Sequence, residues 1–170
     1  MISSGRLIHR KIDFEKDREY VLECHCRVNY ACETPWMREK SYEDYRGQWF
    51  SLKSQVQGFY WALQTTVQDG RALAERLELE DGRRAGYFWA VFEKDCESGF
   101  AFGEVREIYI EPELRRIGLA RELYAYAGAW AKEQGAAVLR AGTGFKNAAS
   151  LAMHKKLGFS PYRCEFEKVL

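Results

Sequence analysis

The sequence lacks a charge excess, a long apolar run and a paired set of cysteines, and each absence removes a class of function. It has 26 basic and 25 acidic residues, a formal net charge of +1. General nucleic-acid binders carry a basic excess, so no nucleic-acid partner is expected. The first residues, MISSGRLIHRKIDFEKD, hold no apolar run of signal-peptide length. Nothing reaches the ~18 apolar residues of a membrane span. A cytoplasmic protein with no membrane partner is therefore expected. The five cysteines, Cys24, Cys26, Cys32, Cys96 and Cys164, are odd in number, and without a secretory signal they argue against a disulfide framework. Cys24-His25-Cys26 is weak as a metal motif. On a helix, neighbouring side chains point about 100° apart and cannot converge on one ion. No second ligand pair has zinc spacing either, so no metal is expected. Repeats, linkers and low-complexity segments are absent as well.

What is present suits one globular domain spanning residues 1–170. Apolar residues make up 46% of the chain and charged residues 30%, enough for a core and a solvated surface. At 15%, aromatics exceed ordinary use, and either a pocket or the core could take the surplus. Leu7 to Ile12 reads as a strand. Asp13 is a candidate N-cap for a helix to about Ala31. Glu33 to Lys40, with Pro35, reads as a connector. Ser41 before Tyr42-Glu43-Asp44 is a helix start with acids in its first turn. Leu52, Val56, Phe59, Tyr60, Leu63 and Val67 form one apolar helical stripe ending at Asp69-Gly70.

Strands are expected over Leu73–Glu80, Tyr87–Phe92 and Phe100–Ile110, the first two joined by an Asp81-Gly82 hairpin turn. The first of these could also be helical. A helix follows from about Gly118 to Gln134, stopped by Gly135. Then come a strand at Ala137–Ala141, a helix from about Asn147 to Leu157-Gly158, and a last strand at Tyr162–Val169. The order β-α-α-β-β-β-α-β-α-β implies an α/β (α+β) fold. Hairpin-linked strands give way to crossovers, so the sheet is mixed, with helices on both faces.

The run Ile110-Glu111-Pro112-Glu113-Leu114-Arg115-Arg116-Ile117-Gly118-Leu119-Ala120-Arg121 passes from strand end through a turn into a helix. The first N–H groups of a helix have no partner inside it, and its dipole is positive there. A diphosphate fits such a place. Gly118 and Ala120 are small enough for close backbone approach, and Arg115, Arg116 and Arg121 add charge. On these residues alone, an ordinary helix start with a solvated basic cluster fits equally well.

A second run, Asn147-Ala148-Ala149-Ser150-Leu151-Ala152-Met153-His154-Lys155-Lys156-Leu157-Gly158-Phe159, begins 29 residues after Gly118. Together the two resemble the GNAT superfamily of acyl-CoA N-acyltransferases. Its pattern is a strand ending in V-x-P, then Q/R-x-x-G-x-G/A, and later N-x-x-A-x-x-x-Y-x-K-x-G-F. Matching positions are Ile110, Pro112, Arg115, Gly118 and Ala120, then Asn147, Ser150, Lys156, Gly158 and Phe159. The likeness is good over residues 85–170 and is one of element order alone before residue 80.

The resemblance implies a mostly antiparallel sheet splayed between its fourth and fifth strands, with acetyl-CoA as co-substrate. Backbone groups of Ile108, Tyr109 and Ile110 would hold the pantetheine arm, and an N–H near Ile110 would stabilise the oxyanion. Backbone from Arg116 through Ile117, Gly118, Leu119 and Ala120 to Arg121, beside Arg115, would hold the pyrophosphate. Asn147 and Ser150 would contact the cofactor from the second motif. Glu104 is the candidate base, read as sharing a strand face with Ile110, and Glu107 on the opposite face is the second choice. His154 stands where the family has tyrosine, the proposed acid toward the leaving thiolate. A covalent cysteine route is disfavoured, since Cys96 sits in a turn without a nearby histidine.

The acceptor amine is expected among Trp36, Tyr42, Tyr45, Trp49, Tyr60 and Trp61, with Glu33, Glu43 and Asp44. Aromatics with acids suit a cationic amine, although core packing explains the same residues. The leading expectation is N-acetylation of a small-molecule primary amine by direct attack. Protein or peptide acetylation, or an acyl-CoA sensor without turnover, are the alternatives. The reading also leaves room for a homodimer.

Overall fold

A computed structural model describes residues 7–32, 39–166 and 168. Five strands lie in one sheet in the order β1 to β5: β1 Ile8–Lys11, β2 Ala72–Glu78, β3 Arg84–Lys94, β4 Ala101–Ile110 and β5 Val138–Ala141. The first four pair antiparallel, and β4 with β5 is parallel. Helices α1 Arg18–Cys32, α2 Tyr42–Ser51 and α3 Lys53–Gln68 precede β2, α4 Leu119–Glu133 crosses from β4 to β5, and α5 Ala148–Lys156 follows. No helix among the described residues is long and apolar enough to cross a membrane.

Two cores sandwich the sheet. Val21, Leu22, Tyr45, Trp49, Val56, Tyr60 and Leu63 pack on one face, against Tyr87, Trp89 and Val91 of β3. Leu119, Leu123, Tyr124 and Ala127 of α4 pack on the other, against Phe88 and Ala90. That is why β3 reads as a continuous apolar run: it is covered on both sides.

Three details differ from the expected elements. The early helical region holds three helices rather than two, because the chain breaks at Leu52 between α2 and α3. Helix α1 starts at Arg18, since Asp13 caps a preceding turn by accepting the N–H groups of Glu15 and Lys16, each at 3.1 Å. Residues 161–166 form no strand. Pro161 offers no N–H to a ladder, and the side chains that would alternate are exposed, Phe166 at 96%. Val169, with Glu33, Pro35 and Trp36 of the connector, lies outside the described residues.

β3 fixes where β4 ends. Gly86 pairs with Ile110, and a Cβ there would stand 2.0 Å from the carbonyl oxygen of Tyr109. Backbone cannot yield as a flexible side chain does. Gly86→Ala is expected to destabilise the fold by about 2 kcal/mol or more, an overpacking cost, read as a lower denaturation midpoint. An unchanged midpoint would contradict the close pairing of Gly86 with the end of β4.

Candidate active site

β5 pairs with β4 only from Phe102↔Val138 to Val105↔Ala141. Beyond Val105, β4 continues to Ile110 with no strand on that side among the described residues. The gap is the floor of a cleft of about 2030 Å³. That exceeds the ~300–1,000 Å³ of ordinary small-ligand sites and leaves room for a large ligand with a second molecule beside it.

One end of the cleft is the turn after β4. Pro112–Leu114 form a 3₁₀ turn, and Leu114 is buried. Arg116 then takes φ 66, the sole positive φ of a non-glycine among the described residues, and Gly118 takes φ 102. This winding brings a run of N–H groups together. The first helical bond of α4 is Glu122 N–H to Gly118 O, at 3.2 Å. From Arg116 to Arg121 no backbone N–H has an acceptor among the described residues. Unpaired consecutive amides at a helix start form an anion cradle. An arginine held at positive φ is strained, as residues at functional turns often are. Arg115 Nε donates to the Ile110 carbonyl at 2.9 Å, so this side chain braces the strand end.

The opposing wall is α5. Asn147 caps it by accepting Ser150 N–H at 3.3 Å, which leaves its side-chain NH₂ as the group free to donate. Asn147, Ser150, Met153 and Lys156 face the cleft. Of the residues expected to hold a cofactor, Ile108, Tyr109, Ile110, Arg115, Arg116, Gly118, Leu119, Ala120, Arg121, Asn147 and Ser150 all line it, while Ile117 does not. Arg115, Arg116, Arg121 and Lys156 make this region positive, and Glu107 is the sole carboxylate among the described lining residues.

The sequence profile of the acetyltransferase (GNAT) family matches residues 32–159. The chain belongs to the GNAT acetyltransferase family. Comparison with curated proteins finds no match. Among solved structures, the aminoglycoside N-acetyltransferase AAC(6')-Iy in complex with CoA is 17% identical with a TM-score of 0.64, covering 99% of this chain and 98% of that one. A Trypanosoma brucei acetyltransferase is 17% identical at 0.62, covering 97% and 100%. The ribosomal-protein-alanine N-acetyltransferase of Brucella melitensis is 13% identical at 0.60, covering 98% and 100%. At these identities the likeness is one of fold.

β4 carries both carboxylates that the sequence offered as a base, Glu104 and Glu107. The strand carries a bulge at Arg106: Trp89 pairs with Glu107, but the next residue, Ala90, pairs with Val105. The extra residue resets the alternation. Glu104, opposite Val91, and Glu107, opposite Trp89, therefore share the face toward α1–α3. Both readings from strict alternation, Glu104 beside Ile110 and Glu107 facing away from Glu104, are corrected.

Glu104 stands outside the cleft lining and pairs with Arg106 at 2.6 Å. Glu107 lines the cleft and is 7% exposed. Its Oε1 accepts from His25 Nδ1 of α1, and its Oε2 has no hydrogen-bond partner among the described residues. Asn29 Nδ2 donates to His25 Nε2 at 2.9 Å, which leaves the His25 proton on Nδ1, toward Glu107. Phe59 stacks on the imidazole, with centroids 3.6 Å apart. Burial pushes the Glu107 carboxyl above its ordinary value, and the His25 hydrogen bond only partly offsets that.

His25 and Asn29 escaped the sequence reading, although their i, i+4 spacing on a helix was visible there. Of the residues expected around the acceptor, Tyr42 lines the cleft. Tyr45, Trp49 and Tyr60 are in the core, Trp61 is 66% exposed, and Glu43 and Asp44 are exposed at the start of α2. Cys24 and Cys26 are buried free thiols. Among the described residues no group of three or more His, Cys, Asp or Glu is placed to hold a metal ion.

Proposed function

We propose that this chain transfers the acetyl group of acetyl-CoA to a primary amine by direct attack, with both substrates held in the cleft together. The observation that carries the reading is the run of unpaired N–H groups from Arg116 to Arg121, set beside the open edge of β4. These amides would hold the pyrophosphate, with Arg116, Arg121 and Asn147 adding donors. Backbone at Ile108 to Ile110 would hold the pantetheine arm and donate to the acetyl oxygen as charge builds there. Acetyl-CoA supplies the activated acyl group.

Glu107, rather than Glu104, is the group that takes the amine proton. Glu104 is tied to Arg106 outside the cleft, whereas Glu107 has a free oxygen and a raised pKa, which makes it the better base. His25 orients it. The acceptor is a small molecule that enters between Tyr42 and Tyr109. With one carboxylate among the described lining residues, a single amine suits the site better than a polycation.

Release of free thiol from acetyl-CoA, followed across a panel of amines, tests the reading. At least one small primary amine is expected to drive release far above the amine-free rate. Tight acetyl-CoA binding with no amine-dependent release would instead make the protein a sensor, and turnover restricted to peptides would move the acceptor class.

A further inference from the structure

His154 occupies the family's tyrosine position but is not part of the cleft lining; Tyr124 of α4 is. The phenol is buried, and its Oη lies 2.6 Å from His154 Nε2. The other ring nitrogen, Nδ1, lies 2.8 Å from the carbonyl oxygen of Ser150 and 3.3 Å from its hydroxyl. A carbonyl can only accept, so Nδ1 carries a proton. In the neutral ring Nε2 is then bare, and Tyr124 donates to it. In the imidazolium both nitrogens donate, so Nε2–H points at Tyr124 Oη and the phenol proton is free to turn toward the cleft. Phe159 stands edge-on to both rings at 5.3 Å and holds the pair in register.

We propose that Tyr124 is the group that protonates the departing CoA sulfur, with His154 behind it as the source of the proton. This rests on the transferase reading and deepens it. As the carbon–sulfur bond breaks, its electron pair goes to sulfur. The Tyr124 Oη–H bond breaks, an S–H bond forms, and the Nε2 proton of His154 moves to Oη. His154 ends neutral with its proton on Nδ1, the arrangement that the Ser150 carbonyl favours. On the acceptor side the amine gives one proton to Glu107. Amine and thioester thus become amide and thiol with atoms and charge balanced, and solvent resets both side chains. Burial raises the Tyr124 phenol far above its ordinary value, and nearby Cys32 adds to that. A phenolate left alone there would be costly, which is why the imidazole is needed. The catalytic residue is Tyr124; His154 acts through it.

Tyr124→Phe deletes only the hydroxyl and keeps the ring against both His154 and Phe159. It is expected to lower kcat about 100-fold, within the range for a lost general acid, while acetyl-CoA affinity by calorimetry stays within about twofold. His154→Phe is expected to cost a similar factor in kcat, again with little change in affinity. The double variant should be no slower than the worse single one, because the two act as a unit. Nitrogen NMR of the ligand-free protein gives a readout independent of turnover: neutral His154 should be protonated at Nδ1 and bare at Nε2. A proton on Nε2 in the neutral ring, multiplying kcat losses, or a Tyr124→Phe enzyme as fast as the wild type would each overturn the relay alone. A wild type that binds acetyl-CoA yet releases no thiol with any amine would overturn the transferase reading, and the relay with it.

Discussion

Gly118→Val is expected to weaken acetyl-CoA binding at least about 100-fold, about 2.7 kcal/mol, while the protein stays folded. Gly118 has φ 102 and ψ −5, a conformation closed to a β-branched residue at a cost of roughly 1–3 kcal/mol. No atom lies within 4 Å of where its Cβ would stand. The penalty is therefore one of backbone rather than packing. To relieve the strain, the turn must rewind. That rotates the N–H groups on either side of Gly118 away from their common focus and disturbs the Glu122 to Gly118 bond that starts α4. Leu114, Leu119 and Leu123 remain anchored in the core, so global unfolding is not expected. Calorimetry, with a thermal melt as control, reads both quantities. Wild-type affinity in this variant would place the pyrophosphate elsewhere.

The second large effect belongs to Glu107→Gln. Glutamine keeps the shape and can still meet His25, but it cannot take a proton. A loss in kcat of about 10²–10⁴ is expected, the usual worth of a positioned base, with little change in acetyl-CoA affinity. Stability at neutral pH should move the other way. The folded-state pKa of Glu107 is raised above the ordinary 4.5, by burial first. The folded protein thus binds this proton more tightly than the unfolded chain does. The associated stability is fully present below the ordinary value and is lost as pH rises through the raised one. At neutral pH the buried carboxylate is a cost that glutamine does not carry, and the His25 pair offsets part of it. Urea melts of wild type and variant from pH 4 upward should diverge in that direction. A variant with wild-type kcat would remove Glu107 as base and return attention to Glu104.

Much of the fold was legible because it rests on local patterns. The α3 stripe, the Asp81-Gly82 turn, the glycines that end α4 and α5, and the pair of motifs flanking the cleft all announce themselves within a few residues. The misread features depend on partners distant in sequence. A bulge at Arg106 is invisible without β3 beside it, yet it decides which face Glu104 and Glu107 share. His25 sits in a run that suggests metal, and its role emerges only when α1 packs on β4. Tyr124 belongs to no motif in the sequence, and only folding sets its hydroxyl against His154. Over residues 161–166 the expected last strand does not form, because no layer covers their exposed side chains.

The central claim is that the Arg116–Arg121 amides hold the pyrophosphate of coenzyme A. Backbone amide NMR during titration tests it most directly, with CoA compared against pantetheine, which has the arm but no phosphates. With CoA, the amides from Arg116 to Arg121 should shift strongly together with those of Ile108 to Ile110. With pantetheine, the β4 amides alone should move. A CoA titration that leaves the Arg116–Arg121 amides in place would contradict the account.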